Sequence, residues 1–357
     1  MATRRMALKT GAAAAAAIAA GAVAGAGSEA VASTVTASGA PTGSGATFGG
    51  ASVHPYIGSG PYCYANSLAM MLGPAAPPPS LIEVLTASPF GFQLLAGRVP
   101  HFTPYGWYTE RGLDDAVAAL GWACRTEAAP DDASALATLR NAVRRGPVLA
   151  GPLEIGLLRH QPEMSGPIGA DHFVQVLEVT DDVVRFHDPQ GHPYASLPPS
   201  TFLAAWRADT IAYPHQPYTL RTDFRRVRWV TPDAALRKLL PTALAWLRGI
   251  DAPVPPGTLG GAAAANAFAD QVAIGLAPDV RNHLLYFAVR LGARRLTDAA
   301  VAMASIGRHR AATILTRQAK LVGSLQYDLV VGENEAAANT LRTLAPTYEE
   351  LASALGR

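Results

Sequence analysis

The sequence predicts an α+β domain followed by a mostly helical C-terminal region. From His54 to Arg228, apolar stretches with helical spacing alternate with short apolar runs typical of buried strands. After Pro232 helical periodicity dominates, because Leu and Ala recur at helical spacing as far as the C-terminus. We therefore place one domain over residues 54–230 and a separate helical region over 231–357.

The N-terminus predicts an export signal that precedes the fold. Arg4 and Arg5, followed by Lys9 and a weakly apolar Ala/Gly run, resemble the twin-arginine consensus. Ala30-Val31-Ala32 provides the small residues that a signal peptidase needs, so we expect cleavage after Ala32. We expect a signal peptide over 1–32, export, and a flexible Ser/Thr/Gly/Ala linker over 33–53. The alternative is an uncleaved membrane anchor. The run is too weakly apolar for a convincing span, so we expect no stable membrane insertion.

The net charge argues against one class of protein, and the two cysteines leave two interpretations. The formal net charge is only +2, which gives no electrostatic support for binding nucleic acid. The chain has two cysteines, Cys63 and Cys124. In an exported protein they could form a disulfide. The other interpretation is a free, chemically active Cys63 and a Cys124 that packs as a small apolar residue in a strand.

Cys63 is the candidate nucleophile. It lies where a loop containing Gly58, Gly60 and Pro61 runs directly into an apolar helix predicted for residues 64–72. The macrodipole and free N–H groups at a helix N-terminus stabilise a thiolate, so we expect a lowered pKa for this cysteine. The same N–H groups can hold an oxyanion during acyl transfer.

A nucleophilic thiol needs a base, and the base needs an acceptor that orients it. His172 opens a predicted hairpin, and Asp188 closes it after a turn at Thr180-Asp181-Asp182. Because paired antiparallel strands bring their outer ends side by side, we expect Asp188 to lie next to His172. The sequence therefore predicts a triad of Cys63, His172 and Asp188.

Other interpretations of these residues stay open. His172 could be a core histidine bonded to a backbone carbonyl, and Asp188, which precedes a proline, could be only a turn residue. Asp171, His187 and His192 could contribute to a metal site. We favour the triad because its members occur together in a consistent order, and we assign neither a metal nor a cofactor.

The order of these residues resembles the papain superfamily. A cysteine heading a helix, His172-Phe173-Val174 opening a hairpin and Asp188-Pro189 closing it are similar to the C39-like peptidase branch. Within that branch, residues 54–228 are most similar to the N-terminal domain family of butirosin biosynthesis protein H, and the helical region to its companion domain. The resemblance implies a papain-like fold and transfer of an acyl group from a carrier-protein thioester to an amine through acyl-Cys63.

The chain departs from that family at one position that bears on mechanism. Papain-like peptidases usually carry a glutamine shortly before the nucleophile, but no Gln or Asn lies between Gly49 and Cys63. The second oxyanion donor is then either a neighbouring backbone amide or Tyr62.

The predicted export also bears on the reaction, because carrier proteins are cytoplasmic and export therefore favours hydrolysis. We expect a cysteine-dependent peptidase, amidase or acyltransferase acting on a peptide, amide or acyl thioester. The alternative is a non-catalytic binding or scaffold protein that retains the fold.

Overall fold

The computed structural model describes residues 47–48, 51–52, 61–162 and 164–356. The predicted signal peptide and the predicted start of the domain at His54 lie outside these residues. Within the predicted linker, β1 (Thr47–Phe48) and β2 (Ala51–Ser52) form a short antiparallel pair. Helices and strands alternate along the next part of the chain and helices dominate the last part, which confirms the predicted α+β class.

The α+β part is built from short helices and an extended set of strands. Its helices are α1 (Cys63–Leu72), α2 (Pro79–Leu85), α3 (Thr109–Ala119), α4 (Asp132–Val143) and α5 (Pro199–Trp206). Its strands are β3 (Gln93–Leu95), β4 (Val99–His101), β5 (Trp122–Glu127), β6 (Val148–Glu154), β7 (Asp171–Val179), β8 (Val184–Asp188), β9 (His192–Leu197) and β10 (Leu220–Arg226). Asp131 accepts a hydrogen bond from the backbone N–H of Ser134 at 2.8 Å and caps α4.

A six-stranded antiparallel sheet, in the order β5-β10-β6-β7-β8-β9, forms the centre of this part. β7 and β8 are the predicted hairpin, in which Val176 pairs with Phe186. Successive side chains of a strand point to opposite faces. Phe173 accordingly joins the apolar core that contains α1, whereas Val174 joins a second core that contains α4 and α5. The strand that carries His172 is therefore covered on both faces.

The C-terminal region is helical, in agreement with its periodicity. Its elements are α6 (Pro232–Arg248), β11 (Leu259–Gly260), α7 (Gly261–Ile274), α8 (Pro278–His283), a π-helical turn (Leu284–Ala288), α9 (Val289–Ser305), α10 (His309–Val331), α11 (Asn334–Leu344) and α12 (Thr347–Leu355). β11 pairs with β3 in a small sheet of order β11-β3-β4. The core that contains α1 continues into these helices, so the two parts of the chain share one apolar interior.

A buried ion pair crosses this shared interior. Arg295 on α9 donates from Nε to Oε1 of Glu83 on α2 at 2.6 Å, and the two side chains are 5% and 0% exposed. The hydroxyl of Tyr64 on α1 donates to Glu83 and accepts from Arg295 Nη2. Removing one partner from such a pair leaves an uncompensated buried charge. The three residues thus link α1, α2 and α9 through interactions that are costly to break singly.

We expect Arg295→Met to lower the free energy of unfolding by about 3–5 kcal/mol, because it leaves Glu83 buried without its cation. Urea denaturation measures this loss. Arg317→Met serves as the control, since Arg317 pairs with Glu350 at the surface with side chains 49% and 41% exposed. An exposed pair contributes about 0–1 kcal/mol, so equal losses in the two variants would contradict a structural role for the buried pair.

Candidate active site

Cys63 is the first residue of α1, and the helix presents it to β7. One turn later, Ser67 Oγ donates to the carbonyl oxygen of Phe173 at 2.9 Å. A further turn along, Met71 Sδ accepts from Gln175 at 3.5 Å. Residues at this spacing share one helix face. The backbone N–H of Phe173 is a hydrogen-bond donor to the Cys63 sulfur and lowers the pKa of the thiol. The sulfur therefore lies beside the residue that follows His172.

The environment of the thiol keeps it protonated at rest. Burial raises the pKa of Cys63 well above its ordinary value of 9.0, and the carboxylates of Asp171 and Glu83 raise it further. The N–H groups of Tyr64 and Phe173 lower this pKa, but by less. The expectation that the helix N-terminus gives a low pKa is therefore wrong, because desolvation outweighs it. A base must take the proton during any attack by this sulfur.

His172 and Asp188 lie side by side, as the hairpin predicts. His172 Nε2 is 2.8 Å from Asp188 Oδ1, and both side chains are fully buried. When Nε2 donates to the carboxylate, Nδ1 carries the lone pair that can accept a proton. This Nδ1 is buried and has no hydrogen-bond partner. The structure pairs His172 with Asp188 but does not bring it into hydrogen-bond contact with Cys63: the alternation of β7 that directs Phe173 to the core of α1 directs the His172 side chain to the opposite face, and its Nδ1 has no partner. Proton transfer from Cys63 to His172 therefore requires the two side chains to approach each other when substrate binds.

Asp188 is held by more groups than the sequence indicates. Its Oδ2 accepts from His160 Nε2 at 2.8 Å and from Gln161 Nε2 at 2.6 Å. The backbone N–H of Gln190 donates to Oδ1 at 2.8 Å. Burial raises the pKa of Asp188, but the hydrogen bonds from His160 and His172 outweigh it and hold the pKa well below its usual range. The carboxylate is therefore ionised and can stabilise a charged His172.

His160 and Gln161 were not predicted. They follow a 3₁₀ turn (Ile155–Leu157) in a segment without periodic apolar spacing, so the sequence offers no signal for them. Their contact with Asp188 depends on how that segment packs against the end of β8. A histidine in such a loop is indistinguishable, in sequence, from the other histidines of the chain.

A polar cluster around Asp171 lies close to the nucleophile. Asp171 Oδ2 accepts from Thr109 Oγ1 at 2.9 Å and from the hydroxyl of Tyr213 at 2.8 Å. The Tyr213 ring stacks on Tyr108, with ring centroids 5.8 Å apart. Burial raises the pKa of Tyr213, and the nearby Asp171 and Cys63 raise it further. Tyr213 is thus a neutral donor close to Cys63, and the sequence analysis missed it.

The structure bears on three alternatives left open by the sequence. Both cysteines are free, which agrees with the favoured interpretation and not with the alternative of a Cys63–Cys124 disulfide. The Tyr62 hydroxyl donates to Asp298 Oδ2 at 2.6 Å and is not available as an oxyanion donor. His187 Nδ1 accepts from the backbone N–H of Tyr194, and the described residues contain no group of three or more His, Cys, Asp or Glu placed to hold a metal ion.

No single helix within the described residues is long and apolar enough to cross a membrane. Residues Cys63–Ala75 and Pro79–Leu85 meet the length and composition criteria only as a pair, bent by 118°.

Comparison with known proteins gives a match to the helical region and one distant relative. Residues 255–356 match the family model described as the YobF C-terminal domain. An uncharacterized protein YobF of Bacillus subtilis (strain 168) is 28% identical over 273 residues, which is 75% of this chain and 87% of that protein. The aligned length exceeds the helical region, so the similarity extends into the α+β part.

The pH dependence of Cys63 alkylation tests its environment. In a Cys124→Ala background, we expect the iodoacetamide rate of the native protein to keep rising above pH 9.0, whereas in urea it should level off near that value. Asp171→Asn should move the native midpoint to lower pH, because it removes a negative charge that opposes the thiolate. A midpoint at or below the denatured value would contradict a buried, protonated thiol.

Acid unfolding tests the ionised Asp188. A carboxyl whose pKa is depressed in the folded state contributes stability above its unfolded pKa and loses it as the pH falls. We therefore expect wild-type unfolding free energy to drop below the ordinary Asp pKa of 3.8, and Asp188→Asn to flatten that drop. Asp181→Asn, at a side chain 93% exposed, is the control. Equal slopes in wild type and Asp188→Asn would show that the native carboxyl is not stabilised as an anion.

Proposed function

We propose that this chain is a cysteine-nucleophile acyl-transfer enzyme of the papain-like class. Cys63 is the nucleophile, His172 the base and Asp188 the residue that orients the base. The observation that carries the proposal is the buried His172–Asp188 pair at 2.8 Å, in which Nδ1 of His172 has no hydrogen-bond partner. The backbone N–H of the next residue, Phe173, contacts Cys63, so the pair and the thiol belong to the same end of β7.

The residues support a two-step reaction. His172 Nδ1 takes the proton of Cys63 as Sγ bonds to the substrate carbonyl carbon, and Asp188 stabilises the imidazolium that forms. The C–X bond of the substrate then breaks, and the leaving group receives the proton from His172. Water or an amine next attacks the thioester while His172 takes a proton from the attacking group; the S–C bond breaks, and His172 returns that proton to the Cys63 thiolate.

The acceptor separates a peptidase or amidase from an acyltransferase. Water as acceptor gives hydrolysis, and an amine gives an amide product. The predicted export favours water, because a carrier-protein thioester is a cytoplasmic substrate. The substrate is a peptide, an amide or an acyl thioester in either case.

One observation favours a second candidate, a binding or scaffold protein that keeps the fold without catalysis. The pKa of Cys63 is raised, mainly by burial, and its sulfur makes no hydrogen bond to His172. A cysteine retained only for packing would have the same properties. The two candidates differ in whether the sulfur can be acylated.

Acylation by p-nitrophenyl acetate tests the proposal in the Cys124→Ala background. We expect release of p-nitrophenolate and an acetyl group on Cys63 by peptide mass, and neither in Cys63→Ala. His172→Gln should slow acylation by about 10²–10⁴-fold, because it removes the base. His283→Gln is the matched control, since His283 is a half-buried histidine that bonds only the Pro100 carbonyl oxygen.

Two outcomes would contradict the proposal. If Cys63 of the folded wild type is not acetylated, the scaffold alternative stands. If Cys63 is acetylated at the same rate in wild type and in His172→Gln, the sulfur is reactive but His172 is not its base.

A further inference from the structure

The residues that flank the nucleophile are both tyrosines directed at the helical region. Tyr62 and Tyr64 are 1% and 4% exposed. The Tyr62 hydroxyl donates to Asp298 Oδ2 on α9 at 2.6 Å. The Tyr64 hydroxyl accepts from Arg295 Nη2, also on α9, at 2.7 Å. One helix of the C-terminal region therefore holds the chain immediately before and after Cys63.

The contact with Tyr62 involves its ring as well as its hydroxyl. The Arg294 guanidinium lies 3.8 Å from the centroid of the Tyr62 ring. Arg294 Nε is also 3.8 Å from Asp298 Oδ2, one turn along α9. A cation over an aromatic face and a charge-assisted hydrogen bond act on the same side chain. Tyr62 is thus fixed in both position and orientation.

The start of α1 has no side-chain cap, so its geometry depends on tertiary contacts such as those of Tyr62 and Tyr64. Tyr62 is its N-cap residue, but no side chain caps the helix and the first turn has no acidic residue. Successive residues of a helix are separated by about 100° around its axis. Restraints on either side of Cys63 therefore fix the rotation of the helix, and with it the direction of Sγ relative to β7.

We propose that Tyr62 and Asp298 are positioning residues for Cys63, so that the helical C-terminal region forms part of the machinery of acyl transfer. The inference rests on the proposed function of Cys63. Tyr62 acts through the backbone that it shares with the nucleophile and touches no reacting atom. Asp298 holds Tyr62 in place, and Arg294 orients both.

The test compares acylation rates by p-nitrophenyl acetate at saturating probe, in the Cys124→Ala background. Tyr62→Phe removes only the hydroxyl, and we expect it to lower the rate by about tenfold to hundredfold, as small displacements of a nucleophile do. Asp298→Leu should have a similar effect. Asp298→Asn keeps an acceptor for the Tyr62 hydroxyl and should recover most of the rate.

Tyr348→Phe is the matched control. Tyr348 on α12 is 3% exposed, and its hydroxyl has no hydrogen-bond partner. We expect this variant to acylate at the wild-type rate. Unfolding free energies measured in parallel show the folded fraction of each variant, so that a rate loss larger than the loss of folded protein identifies positioning and not stability.

The outcomes separate the two proposals. Acylation of Cys63 in wild type with an equal rate in Tyr62→Phe overturns the positioning role and leaves the proposed function in place. A rate loss that Asp298→Asn does not recover overturns the part played by the hydrogen bond. Absence of acylation in folded wild type overturns the proposed function and this inference with it.

Discussion

The buried pair between Glu83 and Arg295 is the constraint on which the arrangement of this protein depends. It joins α2 to α9 within an apolar core that both parts of the chain share. The two charged groups tolerate little movement, because an ion left unpaired in an apolar interior costs on the order of several kcal/mol. Tyr64 joins the same network, so the helix that begins with Cys63 is tied to α9.

A second buried network fixes the groups expected to act on Cys63. Asp188 receives hydrogen bonds from His160, His172, Gln161 and Gln190, which hold it as an anion despite its burial. The thiol of Cys63 is in the opposite situation, because burial and nearby carboxylates keep it neutral. A neutral thiol must lose its proton during attack, so the resting site differs from a preformed thiolate–imidazolium pair.

Local patterns were sufficient to predict the hairpin. The apolar runs of β7 and β8 and the turn between them determine their pairing, and the pairing brings Asp188 to His172. The α+β class and the helical C-terminal region follow from periodicity in the same way. Two hydrogen bonds between distant segments were not predictable, because they depend on tertiary packing. They join His160 to Asp188 and Tyr62 to Asp298.

The pKa of Cys63 is the clearest example of a local rule that fails in context. α1 begins at Cys63, which confirms the predicted start of the helix. Helix N-termini lower thiol pKa values when the sulfur is also solvated. Here burial and the nearby carboxylates of Asp171 and Glu83 act on the sulfur, so desolvation and like charge raise its pKa. Burial of a single side chain is a property of the whole fold and has no short sequence signature.

The most direct measurement is a crystal structure of the wild-type protein after treatment with a peptide aldehyde. We expect a thiohemiacetal on Cys63 Sγ, with His172 Nδ1 within hydrogen-bonding distance of the sulfur or the new oxygen and Asp188 still on Nε2. An unmodified Cys63, or a modified Cys63 whose sulfur and new oxygen lie beyond the reach of the His172 ring, would contradict the triad.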